Sequence, residues 1–180
     1  MSVAGHAPTP LAATIEEARA YLRMGAGVDD AVLAGLVRSA TATCEQFIGA
    51  AIVARSVEEA LAISGDWQRL SCPPVRSITA VAGVPAEGSA FSFAVTDYAI
   101  DIDPQGIGWV RIINRGSAGR MRVSYAAGMV ASAGEVPDAL RQGVIILTGQ
   151  LHRLRDGDEA AVLPATVAAL WQPWRRMRLS

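Results

Sequence analysis

The run VPDALRQGVIILTGQLHRLR, Val136 to Arg155, constrains this chain more than any other stretch. Leu140, Val144, Leu147, Leu151 and Leu154 recur at helical spacing and fall on one face. Pro137 fits the first turn, where its missing N–H costs nothing. Asp138 stands at the positive end of the helix dipole, and Arg153 and Arg155 at the negative end. Ile145, Ile146 and Thr148 widen the apolar stripe beyond what one neighbour can cover. The helix therefore has to be packed from more than one side, by its own domain or by a second subunit. Asp156-Gly157-Asp158 supplies turn residues to stop it.

Around this helix the pattern changes character twice. Residues 1–13 carry two prolines among small residues and read as a flexible N-terminal arm. Thr14-Ile15-Glu16-Glu17 has capping-box spacing, so a short helix is expected from there to about Met24. A second helix is expected from Asp30 to Phe47, with Leu33, Leu36, Val37, Ala40, Cys44 and Phe47 inward. The middle of the chain, about 52–125, is β. Ile52 to Ile63 is the weakest of its segments, because Glu58-Glu59-Ala60 interrupts it. Val75–Val81, Phe91–Val95, Tyr98–Ile102, Trp109–Ile113 and Met121–Tyr125 are short and bounded by Gly, Pro or Asp. Short strands with turn-type links imply an antiparallel sheet or small barrel. A last short helix is expected from Pro164 to Trp171. The expected fold is α+β: a helical bundle of two N-terminal and two C-terminal helices with an inserted antiparallel β block. Residues 14–172 are read as one domain, and 173–180 as a basic tail.

Composition excludes several functions. The chain of 180 residues is 51% hydrophobic with a net charge of −1, which suits a folded domain and not a general nucleic-acid binder. It contains no lysine, so a P-loop, a Schiff base and a Ser–Lys pair are ruled out. Its two histidines, His6 and His152, lie far apart and accompany no nucleophile motif. Cys44 and Cys72 match no metal spacing and read as buried thiols. Asp97, Asp101 and Asp103 cluster near one strand end, but Asp103-Pro104 is an ordinary turn start and the further acids of a calcium loop are missing. Asp156, Asp158 and Glu159 read as a solvated helix terminus. No run reaches the roughly 18 apolar residues of a membrane span, and the N-terminus lacks signal-peptide regions. Synthesis in the bacterial cytoplasm is expected, with no catalytic site, no metal and no cofactor.

Four segments, in order across nearly the whole chain, resemble the head–tail connector (adaptor) proteins of long-tailed phages, prophages and gene-transfer particles. They are IEEARAYLRM with DDAVLAGLVRSATATCEQFIG (Ile15 to Gly49), LSCPPVRSITAV (Leu70 to Val81), VSYAAG (Val123 to Gly128) with the long helix after it, and LWQPWRR (Leu170 to Arg176). The resemblance implies a structural protein of the longer, α+β branch. It implies a ring, twelve-fold in the family, beneath the portal of a filled capsid, extending the DNA channel and joining capsid to neck and tail. Its partners would be further copies of itself, the portal protein and a neck or tail-terminator (stopper) protein. DNA would pass without specific binding, and no membrane would be involved. A non-viral assembly module using the same helices is the alternative.

A ring needs a heterologous interface that closes by rotation. The small-residue side of the second helix and the stripe of the long helix offer one, with Ala34, Arg38, Thr41, Glu45, Gln142 and His152 as the expected contacts. The C-terminal segment combines Trp171 and Trp174 with Arg175, Arg176, Met177, Arg178 and Leu179. Trp and Arg are the residue types most enriched at interface hot spots. Either both rings cover the domain's own helices above a solvated basic end, or the rings anchor the segment's root while the arginines pair with carboxylates of a partner, which the resemblance makes the portal; contact with channel DNA is a third reading.

Overall fold

The protein was analysed as a computed structural model that describes residues 3–6, 9–25, 30–154 and 163–176. The chain divides into two compact units, one of 1–8 with 54–129 and one of 9–53 with 130–180. The second is helical, the first is β, and the architecture is the α+β arrangement expected from sequence.

In the helical unit, α1 (Ile15–Leu22) begins with the expected capping box. The Thr14 hydroxyl accepts from the Glu17 N–H at 3.1 Å, and the Glu17 carboxylate accepts from the Thr14 N–H at 2.8 Å. Helix α2 (Asp30–Ile48) buries Leu33, Val37, Ala40, Thr41, Cys44 and Ile48. Leu36 and Phe47, expected inward, are half-buried. Helix α3 (Asp138–Leu154) starts one residue later than the proline rule suggested. Pro137 sits just outside it, its carbonyl accepting the first helical bond from Arg141. Leu140, Val144, Ile145, Leu147 and Thr148 are buried, while Leu151 and Leu154 are half-buried. The wide stripe is covered inside this unit: α3 packs against α1, α2 and α4 (Ala165–Trp171). The loop residues expected to stop α3, Asp156 to Asp158, lie outside the described residues.

The β unit holds two sheets where the sequence suggested one sheet or a barrel. The larger orders its strands β1-β2-β8-β4-β5, from Val3–His6, Arg55–Ala62, Ala118–Ala127, Val75–Pro85 and Phe91–Ser92. The smaller orders β3-β7-β6, from Gln68–Arg69, Gly108–Ile112 and Tyr98–Ile102. All these pairings are antiparallel. Three details depart from the sequence reading. Residues 3–6, read as part of a flexible arm, form β1 on the edge of β2, a backbone pairing that needs no apolar pattern. Phe91–Val95 contributes only a two-residue strand before a 3-10 turn at Val95–Asp97. Ile52 and Val53 belong to the helical unit, where Val53 bridges Val130.

The weak segment around Glu58-Glu59 is a strand after all. In β2 the buried positions alternate, Val57, Glu59 and Leu61, opposite Tyr125, Val123 and Met121 of β8. Glu58 points the other way and pairs with Arg122 at 2.9 Å. Glu59 takes a core position, 1% exposed, and three donors converge on its Oε2. They are the Ser71 N–H, the Ser71 hydroxyl and the Tyr125 hydroxyl, each at 3.0 Å. Burial, then the neighbouring Glu59 charge, pushes the Tyr125 phenol well above its ordinary range.

Candidate functional site

The root of the C-terminal segment is fixed to the helical unit. Trp171, at the end of α4, is fully buried. Its ring lies on Gly143 of α3, where a Cβ would stand 2.2 Å from the indole Nε1. That nitrogen donates to the Leu140 carbonyl at 3.3 Å, and the ring meets Phe47 of α2 at 5.9 Å between centroids. Beyond it, a 3-10 turn at Gln172–Trp174 redirects the chain. The Arg175 guanidinium then lies 5.7 Å from the Phe47 ring centroid, and the Arg176 N–H donates to the Ile48 carbonyl at 2.8 Å. Of the seven residues expected to bind a partner, Trp171 is therefore a core residue that holds the segment's root. Trp174, 36% exposed, and the exposed Arg175 remain on the surface, with Arg176 half-buried beside them. Met177, Arg178 and Leu179 lie outside the described residues.

The expected helical contacts separate in the same way. Arg38 and Gln142 are exposed, and Ala34 and His152 are half-buried. Thr41 is fully buried: its hydroxyl donates to the Val37 carbonyl at 2.8 Å and accepts the Ala12 N–H at 3.2 Å. It secures the segment before α1 against α2 and is not available to a neighbour. The Glu45 carboxylate accepts the Ile52 N–H at 2.8 Å and so pins the chain where it leaves α2. Small and polar residues on one side of a predicted helix look alike whether they admit a subunit or the chain's own loop, which is why Thr41 was read as a contact; Glu45 stays half-buried at the surface. Gln142 lines an open groove of about 540 Å³ with Glu17, Asp138, Ala139, Arg141, Ile145 and Leu170. Arg141 bridges its two acids, Asp138 and, at 3.6 Å, Glu17.

The acidic strand end has a structural task. Asp103 Oδ1 accepts the N–H groups of Gln105 and Ile107 at 2.9 and 2.8 Å, and its Oδ2 accepts the Trp109 indole N–H at 3.1 Å. These bonds close the turn between β6 and β7, as Asp commonly does. Among the described residues no group of three or more His, Cys, Asp or Glu is placed to hold a metal ion. Asp156, Asp158 and Glu159 lie outside them. Both cysteines are buried, and for Cys44 burial, aided by the Glu45 charge, drives the thiol far above its usual range. Among the described residues no helix is long and apolar enough to cross a membrane.

What the described surface offers is places to assemble: an anchored, arginine-bearing C-terminal root, an exposed helix side and uncovered sheet edges. No family model matches the sequence, and no curated protein matches it. Solved structures do. A chain from the neck of an empty gene transfer agent particle, computed with C6 symmetry, is similar over 100% of this chain and 97% of its own length, at 29% identity and a TM-score of 0.77. One from the neck of a native particle, computed with C12 symmetry, is similar over the same shares at 29% identity and a TM-score of 0.75. One from the virion of the native gene transfer agent covers 99% of this chain and 97% of its own, again at 29% identity, with a TM-score of 0.73. Likeness of fold and sequence along the whole chain bears out the resemblance to the head–tail connector (adaptor) family.

Proposed function

We propose that this protein is a structural component of the neck of a tailed phage or phage-like gene-transfer particle, and that it acts by assembly and not by catalysis. The observation that carries this is the full-length likeness, at 29% identity, to chains of gene transfer agent necks. In this reading copies of the chain form a ring, twelve-fold as in the family, under the portal. The ring extends the DNA channel and passes the load on to a neck or stopper protein on the tail side. The near-neutral charge favours it, because a conduit rich in phosphate contacts would grip the duplex it must let through.

The proposed portal-binding element is the C-terminal segment from Trp174 through Arg175, Arg176, Met177, Arg178 and Leu179, held at its root by Trp171. The proposed copy-to-copy contacts on the helices are Ala34, Arg38, Glu45, Gln142 and His152. Deleting residues 177–180 leaves the Arg175–Phe47 and Arg176–Ile48 contacts in place. The shortened protein is expected to melt like the parent and to leave portal-bearing heads unable to accept tails. Normal head attachment by the shortened protein would remove the portal role from the tail. Absence of the full-length protein from purified particles would remove the neck assignment itself.

A further inference from the structure

The three-stranded sheet has two dissimilar edges, and they match each other. Strand β7 lies in the middle, with β6 pairing Ile100 to Val110 and Asp101 to Trp109, and β3 pairing Gln68 to Val110 and Arg69 to Trp109. Residues in register across a sheet share a face. One face therefore carries the row Arg69–Trp109–Asp101. The next row on that face is Trp67–Arg111–Ala99: Arg111 pairs with Ala99, and its guanidinium stacks 4.8 Å from the Trp67 ring centroid.

Both ends of the first row and the Trp67 end of the second are exposed, while Ala99 at the other end of the second is half-buried. Asp101 and Arg69 are exposed, and among the described residues neither has an ion-pair partner. Trp67 is 43% exposed beside β3. On β6, Ile100 and Ile102 are 43% and 37% exposed, large apolar side chains on a strand that, among the described residues, pairs on one side only. End strands are usually protected by charged side chains, proline or a bulge; β6 reads Tyr-Ala-Ile-Asp-Ile, with Asp101 its single charge and neither proline nor bulge.

The two edges are complementary in sign, size and direction. An acid ends the first row on β6 where a base ends it on β3. A small residue, Ala99, ends the second row where a tryptophan ends it on the other side. Both β3 and β6 run antiparallel to β7, so they run parallel to each other, and repeating the sheet sideways sets β6 of one copy beside β3 of the next. Such a contact joins two different surfaces, as a closed ring of identical copies requires, and cannot be satisfied by a two-fold pair.

We propose that the β6 edge is a ring contact whose occupant is the β3 edge of a second copy of this chain, with Asp101 facing Arg69 and Ala99 facing Trp67 of that copy. The proposal rests on the ring reading above and adds a contact on the β unit to those on the helices.

The test is charge reversal in particle-producing cells that carry only the variant gene. Incorporation into purified particles is measured by immunoblot and neck imaging, and each variant's melting is checked alone. Asp101→Arg and Arg69→Asp are each expected to melt like the parent and to lose incorporation, because like charges then meet at every joint. The double variant, Asp101→Arg with Arg69→Asp, restores opposite charges at every joint and is expected to regain incorporation. Parental incorporation of either single variant would overturn the edge contact while leaving the neck assignment standing. Loss in both singles without recovery in the double would show that a different neck protein, and not a second copy, occupies the edge. Absence of the parent itself from particles would instead remove the reading on which the proposal rests.

Discussion

Substituting Gly143 by alanine tests the arrangement that seats the C-terminal segment. A Cβ at this position would meet the Trp171 ring at 2.2 Å from Nε1, 2.7 Å from Cε2 and 3.0 Å from Cδ1. The indole is fully buried and meets the Phe47 ring at a tilt of 56°, so it has no solvent to retreat into. Forcing one methyl into such a contact costs about 1–3 kcal/mol. Displacing the ring breaks the bond from Nε1 to the Leu140 carbonyl and leaves a buried donor unmet, about 1–3 kcal/mol more. Alanine's helical advantage over glycine returns about 1 kcal/mol. The net expected loss is about 1–5 kcal/mol, read as a fall in the urea or thermal midpoint of the helical unit by tryptophan fluorescence. Each kcal/mol corresponds to roughly 2–4 °C for a chain of this size. Gly35 of α2 is the internal control, since an added Cβ there meets nothing within 4 Å. Gly35→Ala should gain about 0.5–1 kcal/mol from propensity alone. A Gly143→Ala protein that melts at or above the parent's midpoint would refute the close seat of Trp171 on α3.

Leu147, 4% exposed, should lose about 2–5 kcal/mol on truncation to alanine, whereas the half-buried Leu151 should lose clearly less; equal melting shifts would contradict their different burial. Glu59→Ala should cost about 2–4 kcal/mol by stranding the Ser71 and Tyr125 donors, while Glu59→Gln keeps an acceptor and should stay closer to the parent in chemical denaturation. Cys44 should remain unreactive toward a thiol reagent at pH 8 in the folded protein, since burial disfavours its thiolate, and should react at the ordinary rate in denaturant. Rapid labelling of Cys44 before unfolding would contradict that burial.

The helices were legible because their signals are local. Apolar spacing of three and four, the Thr14–Glu17 reciprocal cap and the charges at the ends of α3 all act within a few residues of one another. The six expected strands were legible in place for the same reason, Tyr98–Ile102 at its expected bounds, whereas β1 and the two-residue β3 carry no such pattern and were not anticipated. Pairing is not local. That the eight strands of the described residues separate into two sheets, and that residues 3–6 join the edge of β2, depends on partners far along the chain. Glu59 shows the difference in one residue. Its charge argued against a strand, and only the arrival of Ser71 and Tyr125 from elsewhere supplies donors, all to Oε2, for a carboxylate in a core position.

The candidate surface divides along the same line. The sequence alone determined which residue types could form contacts, the Trp–Arg terminus and the mixed small and polar residues of α2. It could not determine which of them the chain would spend on itself. Trp171 and Thr41 were named among the contacts, and the tertiary structure assigned both to the interior of the helical unit, because each found a geometric complement there: the bare backbone of Gly143 and the Ala12 N–H. The matched edges of the small sheet were invisible for the opposite reason. Arg69 and Asp101 are 32 residues apart in the chain and become the two ends of one row only through the strand between them.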